Sequence, residues 1–157
     1  MGQLPKIVIL GILSNSGFSG THDKSPFNFL NFGLSHVAAE IEGKTYPGRG
    51  YDMDFTNAHS ASAYEGSLDC LDRLSEGNGE LPFDRFGFQD SFTLHGFDFT
   101  VARTSMSHLA LIRTGNLNFM FRFKNPLAEA VIVVCMLVFD NIIEITNSRQ
   151  VIFDYAP

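Results

Sequence analysis

The residues best suited to metal or acid–base chemistry in this chain are its histidines. There are five of them: His22, His36, His59, His95 and His108. A metal site of the kind found in cupin barrels needs two histidines one residue apart, a glutamate soon after and a later histidine. The sequence contains no such His-x-His pair. His36 and His95 lie in predicted strands, but isolated strand histidines usually pack or face solvent, so we expect no metal.

Other catalytic signatures are missing as well. No Gly-x-Ser-x-Gly motif occurs, and Cys135 has no neighbouring base in the sequence that would activate its thiol. The glycine-rich segments 17–20 and 48–50 lack the Lys-Ser/Thr pair of a phosphate-binding loop and therefore indicate turns. We therefore predict no catalytic residue and no cofactor, and we expect the protein not to be an enzyme.

The charge of the chain limits its partners. Its formal net charge is −6, its isoelectric point is near 5.2, and its basic residues are scattered. Binding to nucleic acid or to an anionic membrane requires a basic surface, so we expect neither partner. The apolar segment 7–13 is too short to span a bilayer and is typical of a buried strand. Cys70 and Cys135 imply no disulfide framework, which favours a reducing compartment.

The hydrophobic pattern predicts a single all-β domain over residues 1–157. Short apolar or alternating runs without βαβ order indicate a sandwich of about eight antiparallel strands. The predicted strands are 6–14, 34–42, 91–100, 116–123, 130–139, 141–145 and 150–155. Because segment 130–139 is apolar at every position, we expect a central strand that is covered on both faces. Segment 57–76 predicts one inserted surface helix, with its spaced acidic residues in solvent and a propensity cost at Gly66.

Aromatic residues provide the candidate interaction site. The chain has sixteen phenylalanines and no tryptophan, which is more apolar material than one sandwich core is expected to use. Phe83, Phe86 and Phe88 lie in a segment that resembles a loop, so they are predicted to form an oligomer interface. The alternative is that this loop folds back and its rings cover the core of the same chain.

Four segments carry a resemblance to a known family. They are 5–13 (PKIVILGIL), 25–34 (SPFNFLNFGL) with 39–47 (AEIEGKTYP), 92–99 with 111–123 (LIRTGNLNFMFRF), and 138–155 (VFDNIIEITNSRQVIFDY). Together they resemble the C-terminal jelly roll of the double jelly-roll major capsid proteins of large DNA viruses and Maverick/Polinton-type elements. They also resemble a set of uncharacterised invertebrate proteins. Ser25 stands where those proteins usually have asparagine.

The resemblance implies a jelly-roll fold and a structural, capsid-like subunit, or a derivative captured by a host. It also implies a homotrimer or a companion capsid chain as partner, in a virion or in the cytoplasm or nucleus of a host cell. Two other functions stay open from the residues. One is a trimeric jelly-roll binding module of the tumour-necrosis-factor or lectin kind, and the other is a small cupin-like enzyme.

Overall fold

A computed structural model describes residues 2–74, 83–100, 112–140 and 143–153. The strands are β1 (Gly2–Gln3), β2 (Ile7–Ser14), β3 (Leu34–Ile41), β4 (Lys44–Asp52), β5 (Leu94–Asp98), β6 (Thr114–Gly115), β7 (Leu117–Phe123), β8 (Val131–Val138), β9 (Ile143–Ile145) and β10 (Val151–Phe153). The helices are α1 (Asn15–Phe18), α2 (Ala61–Leu74) and α3 (Arg85–Asp90), and a 3-10 turn covers Phe55–Asn57.

The strands form two main antiparallel sheets. One has the order β5-β2-β8 and is called the β2 sheet below, and the other has the order β4-β3-β7 and is called the β3 sheet. Two short pairs, β1 with β6 and β9 with β10, lie outside them. Side chains of β2 and β3 belong to one buried cluster, so the sheets pack face to face. The prediction of an all-β antiparallel sandwich is confirmed.

Strand β2 is the centre of the structure, because all eight of its residues are buried. Val8, Leu10 and Ile12 pack into the core between the two sheets. Ile7 and Ile9 point the opposite way and pack with Cys70 of α2. The continuous apolar run therefore reflects a strand that is covered by a sheet on one face and by a helix on the other.

Strand β4 occupies a segment whose Pro-Gly-Arg-Gly sequence predicted a turn. It pairs with β3 through a register shift between Val37 and Ala39. Gly50 allows this irregularity: its φ is +76°, and a Cβ there would lie 2.8 Å from the Cβ of Ala38. The turn residues therefore serve an irregular edge strand.

Helix α2 lies against β5 at a point where both elements carry glycine. A Cβ on Gly96 would lie 2.6 Å from the carbonyl oxygen of Gly66 and 2.8 Å from Cys70. Tyr51 of β4 reaches the same place, where its hydroxyl donates a 2.9 Å hydrogen bond to the Gly96 carbonyl. A Cβ on Gly66 would overlap the Tyr51 hydroxyl. Because Gly66 and Gly96 have no side chain, α2, β5 and Tyr51 can approach one another closely.

We expect Gly66→Ala to lower the free energy of unfolding by about 1–3 kcal/mol. Helix propensity alone predicts the opposite sign, a gain of about 1 kcal/mol. Urea unfolding measures the difference, with Glu65→Ala on the exposed face of the same helix as control. Combining Gly66→Ala with Tyr51→Phe should recover part of the loss in a double-mutant cycle. A stabilised Gly66→Ala protein would contradict the close contact.

Candidate functional site

The structure separates the three phenylalanines that were predicted to form an interface. The Asp84 side chain caps α3 by accepting a 2.8 Å hydrogen bond from the Gly87 amide, so the predicted loop is a short helix. This helix directs Phe88 into the core against Tyr64, with ring centroids 5.6 Å apart. Phe83 is also buried, whereas Phe86 is 76% exposed.

The interface assignment therefore needs a correction. Phe83 stacks on Phe92 with centroids 5.4 Å apart, and Phe88 lies edge-on to His95 at 6.0 Å. Both rings cover the core of their own chain, as the alternative interpretation of this segment held. Phe86 alone of the three remains available to a partner.

Strand β8 carries an exposed apolar surface, whereas the sequence predicted such a surface in segment 83–88. The prediction that this strand is central and covered on both faces is wrong for the residues that the structure describes, among which β8 is an edge strand of the β2 sheet. Val133 and Leu137 are each 44% exposed on the face directed toward the β3 sheet, and Met136 is 46% exposed on the face that α2 shares. Val134 and Cys135 are exposed as well. We call residues 133–137 the β8 surface.

The pairing of β8 with β2 shows which side chains share a face. Val134 lies opposite Gly11 and Met136 opposite Ile9, so both are on the α2 side of the sheet. Val133 and Leu137 lie opposite Ile12 and Val8, whose side chains point into the sandwich. Val131 packs against the main core and Val138 against Ile7 and Ile9, whereas in the described part of the chain residues 133–137 between them remain exposed on both faces.

The hairpin that follows adds further exposed apolar side chains. Ile143 and Ile145 of β9 are 64% and 71% exposed, and Val151, which pairs with Ile145, is 53% exposed. Because alternate residues of a strand share one side, these three side chains lie on the same face of the hairpin. The last part of the chain thus displays apolar side chains on consecutive elements.

The signal for this surface was present in the sequence as the unbroken apolar run of segment 130–139. Such a run shows that both faces of a strand require apolar cover. It does not show whether that cover comes from the same chain. We expected this cover to come from the same chain, so the β8 surface was not predicted.

The histidines have separate surroundings. His36 Nδ1 lies 2.7 Å from Asp52 Oδ1, whereas His95 is fully buried against Phe88. Among the described residues, neither ring nitrogen of His95 finds a hydrogen-bond partner, and desolvation lowers the pKa of His95 to about 4. Within the ranges that the structure describes, no cluster of three or more His, Cys, Asp or Glu side chains is placed to hold a metal.

Neither cysteine forms a disulfide, and the two thiols differ in exposure. Cys70 lies on the buried face of α2, and Cys135 is exposed on β8. Partial burial raises the pKa of the Cys135 thiol, so this side chain is protonated at neutral pH and is a weak nucleophile. The apolar neighbours of Cys135 therefore suit it to packing.

A small polar pocket lies near the loop that follows α1. Its volume is about 180 Å³, and it is lined by Ser14, Asp23, Lys24, Ser25, Asn28, Leu30 and Glu129. The lysine that lines this pocket already has partners. Lys24 Nζ lies 3.5 Å from Glu129 and 2.7 Å from Ser16 Oγ. In the described part of the chain, no helix is long and apolar enough to cross a membrane.

Comparison with known proteins gives one relative and no assignment. The chain is 25% identical over 154 residues to the uncharacterized protein F54H12.2 of Caenorhabditis elegans. This alignment covers 97% of the chain but 37% of the relative, so the chain corresponds to little more than a third of that protein. No family model matches the chain. No solved structure matches it.

Proposed function

We propose that this chain is a structural subunit that works by self-association, as expected of a capsid-like jelly-roll protein or a derivative captured by a host. The observation that carries the proposal is the β8 surface, which is apolar and exposed on both faces of an edge strand. Monomeric proteins usually protect such edges, and contiguous exposed apolar patches commonly mark association sites. The resemblance of segments 5–13, 25–34 with 39–47, 92–99 with 111–123, and 138–155 to capsid jelly rolls supports the same function.

The test is the mass of the full chain in solution. We expect size exclusion with light scattering to give a discrete species heavier than the 17.4 kDa monomer, with a fraction that increases with protein concentration. The resemblance predicts a trimer. Reversal on dilution is the control that separates a closed assembly from aggregation. A single 17.4 kDa species over a roughly hundredfold range of concentration would refute the proposed function.

A further inference from the structure

The two main sheets have four outer strands, and three of them carry features that discourage pairing. In β5, the carbonyls of Leu94 and Gly96 accept hydrogen bonds from the side chains of Ser67 and Tyr51. β4 contains Lys44, Pro47 and Arg49, and its pairing with β3 is irregular. β7 alternates core residues with outward-facing ones, of which Asn118 and Arg122 are polar and Met120 is apolar. Charges, proline, irregular pairing and side-chain capping are the usual means of blocking a sheet edge.

Strand β8 has none of these features. Its sequence, VIVVCMLV, contains no charge, proline or glycine. It pairs with β2 in one continuous register from Ile7↔Val138 to Ser14↔Val131, without a bulge. Eight residues in strand geometry span about 26 Å, which is long for an unprotected edge. Among the described strands of the two main sheets, β8 alone is open to another strand.

The charges at the two ends of β8 also permit a like strand to approach. Glu129, just before the strand, lies 3.5 Å from Lys24, and Asp140, just after it, lies 3.2 Å from Lys6. An antiparallel partner with the same sequence would bring the Glu129 end of one strand to the Asp140 end of the other. Because each carboxylate has a lysine of its own chain beside it, repulsion between these ends is reduced.

We propose that β8 pairs antiparallel with β8 of a second copy of this chain across a two-fold axis. The two β2 sheets then form one continuous six-stranded sheet with the order β5-β2-β8-β8-β2-β5. The inference rests on the proposed function and specifies which surface associates and with what symmetry.

A second copy fits β8 because the strand is complementary to itself. Every position from Val131 to Val138 is apolar, so an antiparallel copy places apolar side chains opposite apolar side chains on both faces. The other three outer strands of the two main sheets carry the blocking features described above, which leaves β8 as the available outer strand on the partner too. A two-fold contact of this kind uses the same patch twice and closes without further growth.

The test compares two lysine substitutions of the full chain. Val134→Lys places a charge in the centre of β8, and Met120→Lys places the same charge at an exposed position of β7 in the β3 sheet as matched control. We expect the parent and Met120→Lys to form a dimer of twice 17.4 kDa. We expect Val134→Lys to raise the dissociation constant about fivefold or more, because the pairing brings two lysines close together across the two-fold axis and like charges on neighbouring strands repel.

Hydrogen exchange of the β8 peptide provides the second measurement. Pairing with a second copy protects the amides of Val131–Val138 that point away from β2, so protection should increase with protein concentration. Val134→Lys should abolish that increase, whereas Met120→Lys should keep it. Circular dichroism verifies folding, and Met136→Lys at the neighbouring exposed position replaces Val134→Lys if the latter does not fold.

The outcomes separate this inference from the proposed function. A trimer, or any oligomer that Val134→Lys and Met136→Lys leave intact, overturns the β8 pairing and leaves self-association standing. A monomer at all concentrations, with β8 amides protected independently of concentration, overturns both, because the edge is then covered by its own chain.

Discussion

Lowering the pH from about 6.5 to about 4 should destabilise this protein through His95, the one buried histidine among the described residues. Desolvation lowers its pKa in the folded state from 6.5 to about 4. Between these values the unfolded chain binds a proton that the folded chain does not, so stability falls as the pH falls. The full span corresponds to a loss of about 3 kcal/mol in the free energy of unfolding.

Urea unfolding at a series of pH values measures this effect, with two variants for comparison. His95→Leu should remove most of the pH dependence in this window. It should also stabilise the protein at neutral pH by about 1–3 kcal/mol, because two buried nitrogens without partners are removed. His59→Gln, at an exposed histidine, should follow the parent. Equal slopes for the parent and His95→Leu would show that His95 is not buried as described.

The pH range in which stability is lost distinguishes His95 from the carboxylate of Asp54. Hydrogen bonds from the Asn57 side chain and from backbone amides, together with the charge of Lys124, lower the pKa of Asp54 from 3.8. A carboxylate with a lowered pKa contributes stability that is lost only as the pH falls below its unfolded value. Its contribution therefore lies below the window assigned to His95.

A second large effect is expected at Gly96. In Gly96→Val the new Cβ would lie 2.6 Å from the Gly66 carbonyl and 2.8 Å from Cys70. The backbone of α2 cannot move aside without losing its contact with β5, so we expect a loss of about 3 kcal/mol or more in the free energy of unfolding. Urea unfolding measures it. Gly48→Val is the matched control, since a Cβ at Gly48 meets nothing within 4 Å.

Thiol labelling shows whether α2 moves in Gly96→Val. Cys70 lies on the buried face of α2, and Cys135→Ser removes the exposed thiol so that labelling reports on Cys70 alone. In that background we expect the parent thiol to react slowly and the Gly96→Val thiol to react faster. Slow labelling combined with parent-like stability would contradict the close approach of helix and strand.

Several strands were predictable from the sequence to within one residue at each end. Predicted segments 6–14, 34–42, 116–123 and 130–139 correspond to β2, β3, β7 and β8. In β7 the predicted alternation is also confirmed, with Leu117, Phe119, Phe121 and Phe123 packed against the core. These predictions succeeded because the strand period and β-branched or aromatic content are local properties.

The helices were less predictable. The predicted helix 57–76 begins at Ala61 in the structure, after a 3-10 turn and a left-handed Ala58. Helix α3 was missed because it has six residues, too few to show a helical period. Its Asp84 cap is a signal that could have found it. The consequence is functional, since this helix decides that Phe88 is buried and Phe86 is exposed.

The sequence by itself determined that this protein is an all-β sandwich with a buried strand over residues 6–14. It also determined that the chain contains an eight-residue strand, β8, with no polar side. Only the tertiary structure decided that β2 is central and that β8 is at the edge, with its side chains exposed. The reason is that an apolar pattern specifies how much cover a strand needs, whereas the order of strands in a sheet depends on contacts between residues far apart in the chain.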